Sequence, residues 1–101
     1  MPRQPKSELY STMSIGERLR ITRLSLGVTQ RAFAYPLGMT RENQTMYESG
    51  AREPPWDKAV AMTDAWGLTL DWIYKGDLSG LSPGLVEKIN RNLHKARVKI
   101  V

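Results

Sequence analysis

Residues 27–50 read Gly-Val-Thr-Gln-Arg-Ala-Phe-Ala-Tyr-Pro-Leu-Gly-Met-Thr-Arg-Glu-Asn-Gln-Thr-Met-Tyr-Glu-Ser-Gly. Three glycines, Gly27, Gly38 and Gly50, punctuate the stretch, and a threonine follows each of the first two after one residue. Glycine closes a helix because it takes the left-handed conformation without strain, and threonine opens one because its hydroxyl accepts a free first-turn amide. The spacing predicts a short helix from Gln30 to Leu37, capped by Thr29 and ended by Gly38. A second is predicted from Arg41 to about Ser49, capped by Thr40 and ended by Gly50. Phe33, Ala34 and Leu37 supply the apolar side of the first.

The flanks extend this grammar. Ser14-Ile15-Gly16-Glu17 is a capping box, in which serine and glutamate satisfy each other's backbone amides. It opens a helix that buries Ile15 and Leu19 and stops at Gly27. Downstream, Ala51-Arg52-Glu53-Pro54-Pro55 must be a loop, since paired prolines cannot continue a helix but can begin one. A helix from Trp56 to Trp66 follows, with Ala59, Met62, Thr63 and Trp66 inward and Gly67 closing it. Thr69 caps a short helix from Leu70 to Tyr74 that ends at Gly76. After a turn-rich link, Ser82-Pro83 reads as cap and first helical residue. Leu85, Ile89, Leu93, Ala96 and Ile100 then share one face at helical spacing, away from Lys88, Arg91 and Lys95. Residues 97–101 alternate instead, so a short terminal strand is the rival reading there. Residues 1–13 read as a loose N-terminal arm, residues 14–77 as the domain, and residues 78–101 as a basic amphipathic extension. The expected class is all-α, and the pair at its centre, two short capped helices joined by a tight turn, is a helix-turn-helix unit.

Composition narrows the function. The chain has 101 residues, 41% hydrophobic and 25% charged, which is one ordinary domain. It has no cysteine and one histidine, so a disulfide scaffold or a structural metal site is not expected, and a reducing cytoplasm is. No apolar run is long enough for a membrane span, and no apolar segment of a secretory leader follows Arg3 and Lys6. Ser/His/Asp sets, paired carboxylates and phosphate-binding glycine loops are missing, so neither an enzyme, a cofactor nor a small-molecule substrate is expected. The net charge of +5 is unevenly placed. Residues 15–52 hold six arginines against Glu17, Glu42 and Glu48; residues 53–81 are net acidic; residues 82–101 are again basic. A polarised field of this kind suits a polyanion approached from one side.

From Ile15 to Asp77 the chain resembles the lambda-repressor-like (XRE/Cro-type) helix-turn-helix DNA-binding domains. The pieces that carry the resemblance are Ile15-Gly16-Glu17-Arg18-Leu19-Arg20, Gly27-Val28-Thr29-Gln30, Leu37-Gly38-Met39-Thr40-Arg41, Tyr47-Glu48-Ser49-Gly50-Ala51-Arg52-Glu53-Pro54 and Leu68-Thr69-Leu70-Asp71-Trp72-Ile73. Each is weak alone; together, in order and at the right gaps, they are specific. The resemblance implies a five-helix domain with a C-terminal extension, double-stranded DNA as partner, and a third helix that enters the major groove.

On that reading Arg41, Glu42, Thr45 and Met46 face base edges. Arg41 can bond two acceptors of guanine, Glu42 can accept from cytosine, and Thr45 and Met46 can touch a thymine methyl. Gln30, at the start of the second helix where free amides attract anions, is placed on phosphate, as are Arg31, Asn43 and Arg52. Tyr47, Trp66, Leu68, Leu70, Trp72 and Ile73 are read as packing residues. Repressors that resemble this chain bind as two-fold dimers, so a homodimer is expected. Leu85, Ile89 and Leu93 are its leading contact, nearly balanced by packing on the chain's own domain, with Leu70 and Tyr74 next. Two residues depart from the family pattern. Gln44 stands at a core-facing position that is usually apolar, and Pro36 falls inside the second helix. They favour the alternative, an interaction module or antitoxin-like protein on the same fold with weakened DNA readout.

Overall fold

The computed structural model describes residues 10 and 12–100, with side chains through Lys95. From residue 15 onward six α-helices follow one another, and no strand occurs among the described residues. They are α1 (Ile15–Leu26), α2 (Gln30–Ala34), α3 (Arg41–Ser49), α4 (Trp56–Trp66), α5 (Leu70–Lys75) and α6 (Pro83–Ile100). The last runs through residues 97–100 as a helix, which sets aside the terminal strand.

The caps act as the local pattern predicts. The Ser14 hydroxyl accepts from the Glu17 amide while the Glu17 carboxylate accepts from the Ser14 amide, both at 3.1 Å. Thr29, Thr40 and Thr69 accept from the amides of Ala32, Asn43 and Trp72. Proline shortens the second helix. Pro36 has no N–H to offer the carbonyl one turn back, so the α-helix closes at Ala34 and residues Tyr35–Leu37 tighten into a 3-10 turn. Gly38 then reverses the chain at φ +67°, and the Met39 amide reaches the Ala34 carbonyl at 3.2 Å. Pro36 therefore makes the turn and leaves the Thr40 cap intact.

The core gathers Leu19, Phe33, Met62, Trp72, Ile73 and Ile89, all fully enclosed. Phe33 and Trp66 stack with centroids 5.4 Å apart, and the Trp66 indole N–H donates to the Phe33 carbonyl at 3.1 Å, which ties α4 to α2. Tyr47 is buried as expected. Helix α1 packs against α3, α5 and α6. Its approach to α3 is so close that a Cβ on Gly16 would fall 2.5 Å from the carbonyl oxygens of Tyr47 and Glu48. No side chain fits there, so glycine is required by contact rather than by backbone conformation.

Three expectations are corrected. The N-terminal arm is not loose up to residue 13: Tyr10 is fully buried, meets Trp72 edge-on at 5.3 Å and donates its hydroxyl proton to Asn90 at 2.7 Å. Residues 1–9 and 11 lie outside the described residues. Leu85, Ile89 and Leu93 do not form a free surface for a second copy. Leu85 and Ile89 belong to the core of their own chain and Leu93 packs on it, while Asn92 donates to the Ser25 hydroxyl at 2.9 Å. An 18-residue helix laid across α1 is long enough to bury its stripe at home. The side chains of Ala96 and Ile100 lie outside the described ones. Finally, the arginines of α1 do not all contribute to an outward positive half. Arg18 is enclosed and donates to the carbonyls of Ile73, Tyr10 and Met13; its burial lowers its pKa against the opposing pull of Glu17. Arg23 is taken up by Glu48.

Candidate nucleic-acid interface

Helices α2 and α3 present one continuous outer surface. Because Phe33, Ala34 and Leu37 turn inward, Arg31 and Tyr35, four residues apart, turn outward together. They line an open cleft of about 420 Å³ with Met39, Thr40, Arg41 and Glu42. Arg41 and Glu42 are exposed in the first turn of α3, as expected for groups that meet a ligand there. Thr45 is exposed one turn further on, whereas Met46 is only half-exposed, since it leans toward the buried side beside Tyr47. Tyr35 is 83% exposed and was absent from the sequence reading. Its spacing from Arg31 was the available signal.

The groups assigned to phosphate divide into free and engaged. Arg31 and Arg52 are exposed and, like Arg20 and Arg41, have no ion-pair partner among the described residues. The loop that carries Arg52 is pinned to α3 by its amide, which donates to the Met46 carbonyl at 3.3 Å. Asn43 is partly engaged: its amide oxygen accepts from the Thr40 hydroxyl at 2.9 Å and the Thr40 amide at 3.3 Å, completing a capping box. That leaves its NH2 as the group with donors to offer. Gln30 is more heavily used, its NH2 donating to Glu48 and its oxygen accepting from Thr45.

The Glu48 carboxylate, 4% exposed, is the polar centre beneath α3. Arg23 of α1 donates to it twice, at 2.7 and 3.1 Å. Gln30 of α2 donates at 3.2 Å and Gln44 of α3 at 2.8 Å. Burial pushes the Glu48 carboxyl up, but the hydrogen bonds from Arg23, Gln44 and Gln30, with the charge of Arg23, outweigh it and hold it below the usual carboxylate range. This centre joins all three helices of the unit. It also explains Gln44: the side chain is fully buried, and its NH2 serves the carboxylate while its Oε1 is left without a hydrogen-bond partner. Sequence reasoning saw the buried glutamine but not the centre it serves, because the other donors to Glu48 come from α1 and α2.

Two capped helices set by a glycine turn, a polar brace beneath the second and unpaired arginines around its outer face define a helix-turn-helix domain. Residues 14–72 match the family model described as a helix-turn-helix domain, and the chain belongs to that family. Among its relatives is the SPbeta prophage-derived uncharacterized HTH-type transcriptional regulator YonR of Bacillus subtilis (strain 168), 36% identical over 61 residues, which are 60% of this chain and 56% of that protein. Another is Repressor protein C2 of Salmonella phage P22, 30% identical over 69 residues, 68% of this chain and 32% of that protein. The crystal structure of the P22 c2 repressor in complex with synthetic operator 9T superimposes with a TM-score of 0.62 at 29% identity, covering 65% of this chain and all of that one. This chain spans about half the length of the two Bacillus regulators it matches, 56% and 53%.

Proposed function

We propose that the protein is a sequence-specific DNA-binding transcriptional regulator of the repressor type, with α3 docked in the major groove. The observation that carries this reading is the division of its arginines. Arg18 and Arg23 are consumed inside the fold, while Arg31, Arg41 and Arg52 stand unpaired around the exposed side of α2 and α3. Unpaired cations clustered on one polar face have a polyanion as their natural partner, since each releases a condensed counterion when it meets phosphate. Arg41 and Glu42 open α3 and read base edges; Arg31, Arg52 and the NH2 of Asn43 hold the backbone and set the register. The repressor that superimposes on the chain was crystallised with an operator, which supports the same docking.

One domain of this size makes few base contacts, so two copies on paired half-sites about 34 Å apart complete the reading. The α6 stripe is used within the monomer, so the contact with the second copy passes to Leu70 and Tyr74 of α5, both partly buried against the core of their own chain. The buried Gln44 and Pro36, which follows α2, do not favour the interaction-module alternative, because one serves the brace and the other makes the turn.

Selection of bound sequences from a random DNA pool, followed by salt titration on the selected site, tests this. Arg52→Ala should weaken binding on all DNA and make the slope of log affinity against log salt shallower by about 0.9. Arg41→Ala should cost about 1–3 kcal/mol on the selected site and relax one base position. Absence of measurable affinity at low salt would reject DNA binding altogether.

A further inference from the structure

The hydroxyl of Thr45 has one proton and two acceptors inside the protein. It lies 2.9 Å from Gln30 Oε1 and 3.0 Å from the Arg41 carbonyl oxygen. Neither of those oxygens can donate, so the proton of Thr45 is committed inward whichever it chooses. The direction of the Gln30 amide is fixed by the brace below. An ionised carboxylate only accepts, so the NH2 of Gln30 must face Glu48, and its oxygen is thereby turned to Thr45. The charge on Glu48, held by Arg23, is thus passed outward as hydrogen-bond polarity through Gln30 to an exposed side chain of α3.

Resting on the proposed DNA-binding role, we infer that Thr45 determines specificity as a hydrogen-bond acceptor and never as a donor. Its outward lone pair would accept from the exocyclic amino group of the base it faces, adenine N6 or cytosine N4. Guanine and thymine offer only acceptors at those positions on their major-groove edges, and a lone pair aimed at them is repelled. A threonine with a free hydroxyl proton would not discriminate in this way. Gln30, for its part, acts as a positioning residue that holds the hydroxyl in one sense.

The test uses the full chain and the site selected for it. Duplexes are made in which each adenine or cytosine of the half-site in turn is replaced by purine or 2-pyrimidinone, which lack the amino group. Binding of the wild type is compared with Thr45→Val, which keeps the shape without the oxygen, and Thr45→Ser, which keeps the acceptor. Thr45 is exposed. Matching thermal melts check that all three chains are equally folded, and the comparison on the same DNA cancels any effect of the base analogue on the duplex. At one adenine or cytosine, loss of the amino group should weaken wild type and Thr45→Ser about three- to tenfold and leave Thr45→Val unchanged. Equal losses for wild type and Thr45→Val at every position would overturn the inference while leaving DNA recognition standing. So would a guanine or thymine preference that disappears in Thr45→Val, since the hydroxyl would then be a donor. A wild type that binds all sequences equally rejects base reading by α3 as a whole, and this inference with it.

Discussion

Helices α3 and α6 both pack on α1, and different chemistry holds them there. Helix α6 is held chiefly by apolar burial. Leu85 and Ile89 enter the core, Leu93 packs on it, and each enclosed side chain contributes about 1.5–3 kcal/mol without demanding a particular orientation of polar atoms. Helix α3 buries only Gln44 and Tyr47, and its position depends on the Glu48 carboxylate, on the hydrogen bonds to it and on the bare backbone of Gly16. A greasy contact tolerates small shifts. A carboxylate with four donors does not, because the bonds weaken steeply with misalignment. The helix whose outward face carries the proposed base-reading groups is therefore the one fixed by directional bonds. The helix with the larger apolar stripe holds the domain together.

If that contrast is right, the largest effect belongs to the α6 core. Ile89→Asp places an unpaired charge at a fully enclosed site, and urea denaturation should show a loss on the order of 4 kcal/mol or more, enough to unfold much of the population. A folded, stable variant would return the stripe to the surface and reopen it as a contact between copies.

Next comes the brace. Glu48→Gln leaves Arg23 without its partner in a largely enclosed site and should lower stability by about 3–5 kcal/mol. The pH dependence follows from the depressed pKa of Glu48. A carboxyl that is more acidic folded than unfolded stabilises the fold at pH values above its unfolded value of about 4.3, and that contribution is lost as pH falls through the lower folded value. Stability of the wild type should therefore drop below about pH 4 more steeply than that of Glu48→Gln. Parallel curves would mean that the carboxylate is not held as described.

The smallest effect sharpens the comparison most. Gln44→Leu removes one donor from Glu48 but also removes the buried oxygen that lacks a partner. The two changes oppose each other, so denaturation should register a difference within about 1 kcal/mol in either direction. A loss near 3 kcal/mol would show that α3 depends on this glutamine as much as on the ion pair.

Helix boundaries were legible without the fold. The starts of α1 to α5 and the ends of α1, α3 and α4 fall where caps, glycines and prolines put them, and α5 runs one residue longer. Such signals act over three or four residues, within reach of sequence spacing. The exposed helical residues of the proposed DNA-facing surface, Arg31, Arg41, Glu42 and Thr45, were legible for the same reason, since a helical period separates inner from outer positions. Pro36 was visible as a break, but whether it would disturb α3 or merely tighten the turn depended on the neighbours it met.

What the sequence by itself determined is therefore the order of the helices, their capped ends and which side of each is apolar, because these follow from interactions between near neighbours along the chain. Only the tertiary structure decided that Tyr10 joins the core, that Arg18 binds carbonyls and Arg23 a carboxylate, and that the α6 stripe closes on its own domain. It alone decided the sense of the hydrogen bonds from Glu48 through Gln30 to Thr45. Arg18, Arg23, Arg31 and Arg41 are the same residue type in the same basic half of the chain. What separates them is chiefly a distant group, the Ile73 carbonyl 55 residues from Arg18 and the Glu48 carboxylate 25 residues from Arg23, or the absence of an ion-pair partner among the described residues. A local pattern carries no information about such distant partners, and the direction of a hydrogen bond is set only once both of its ends are in place.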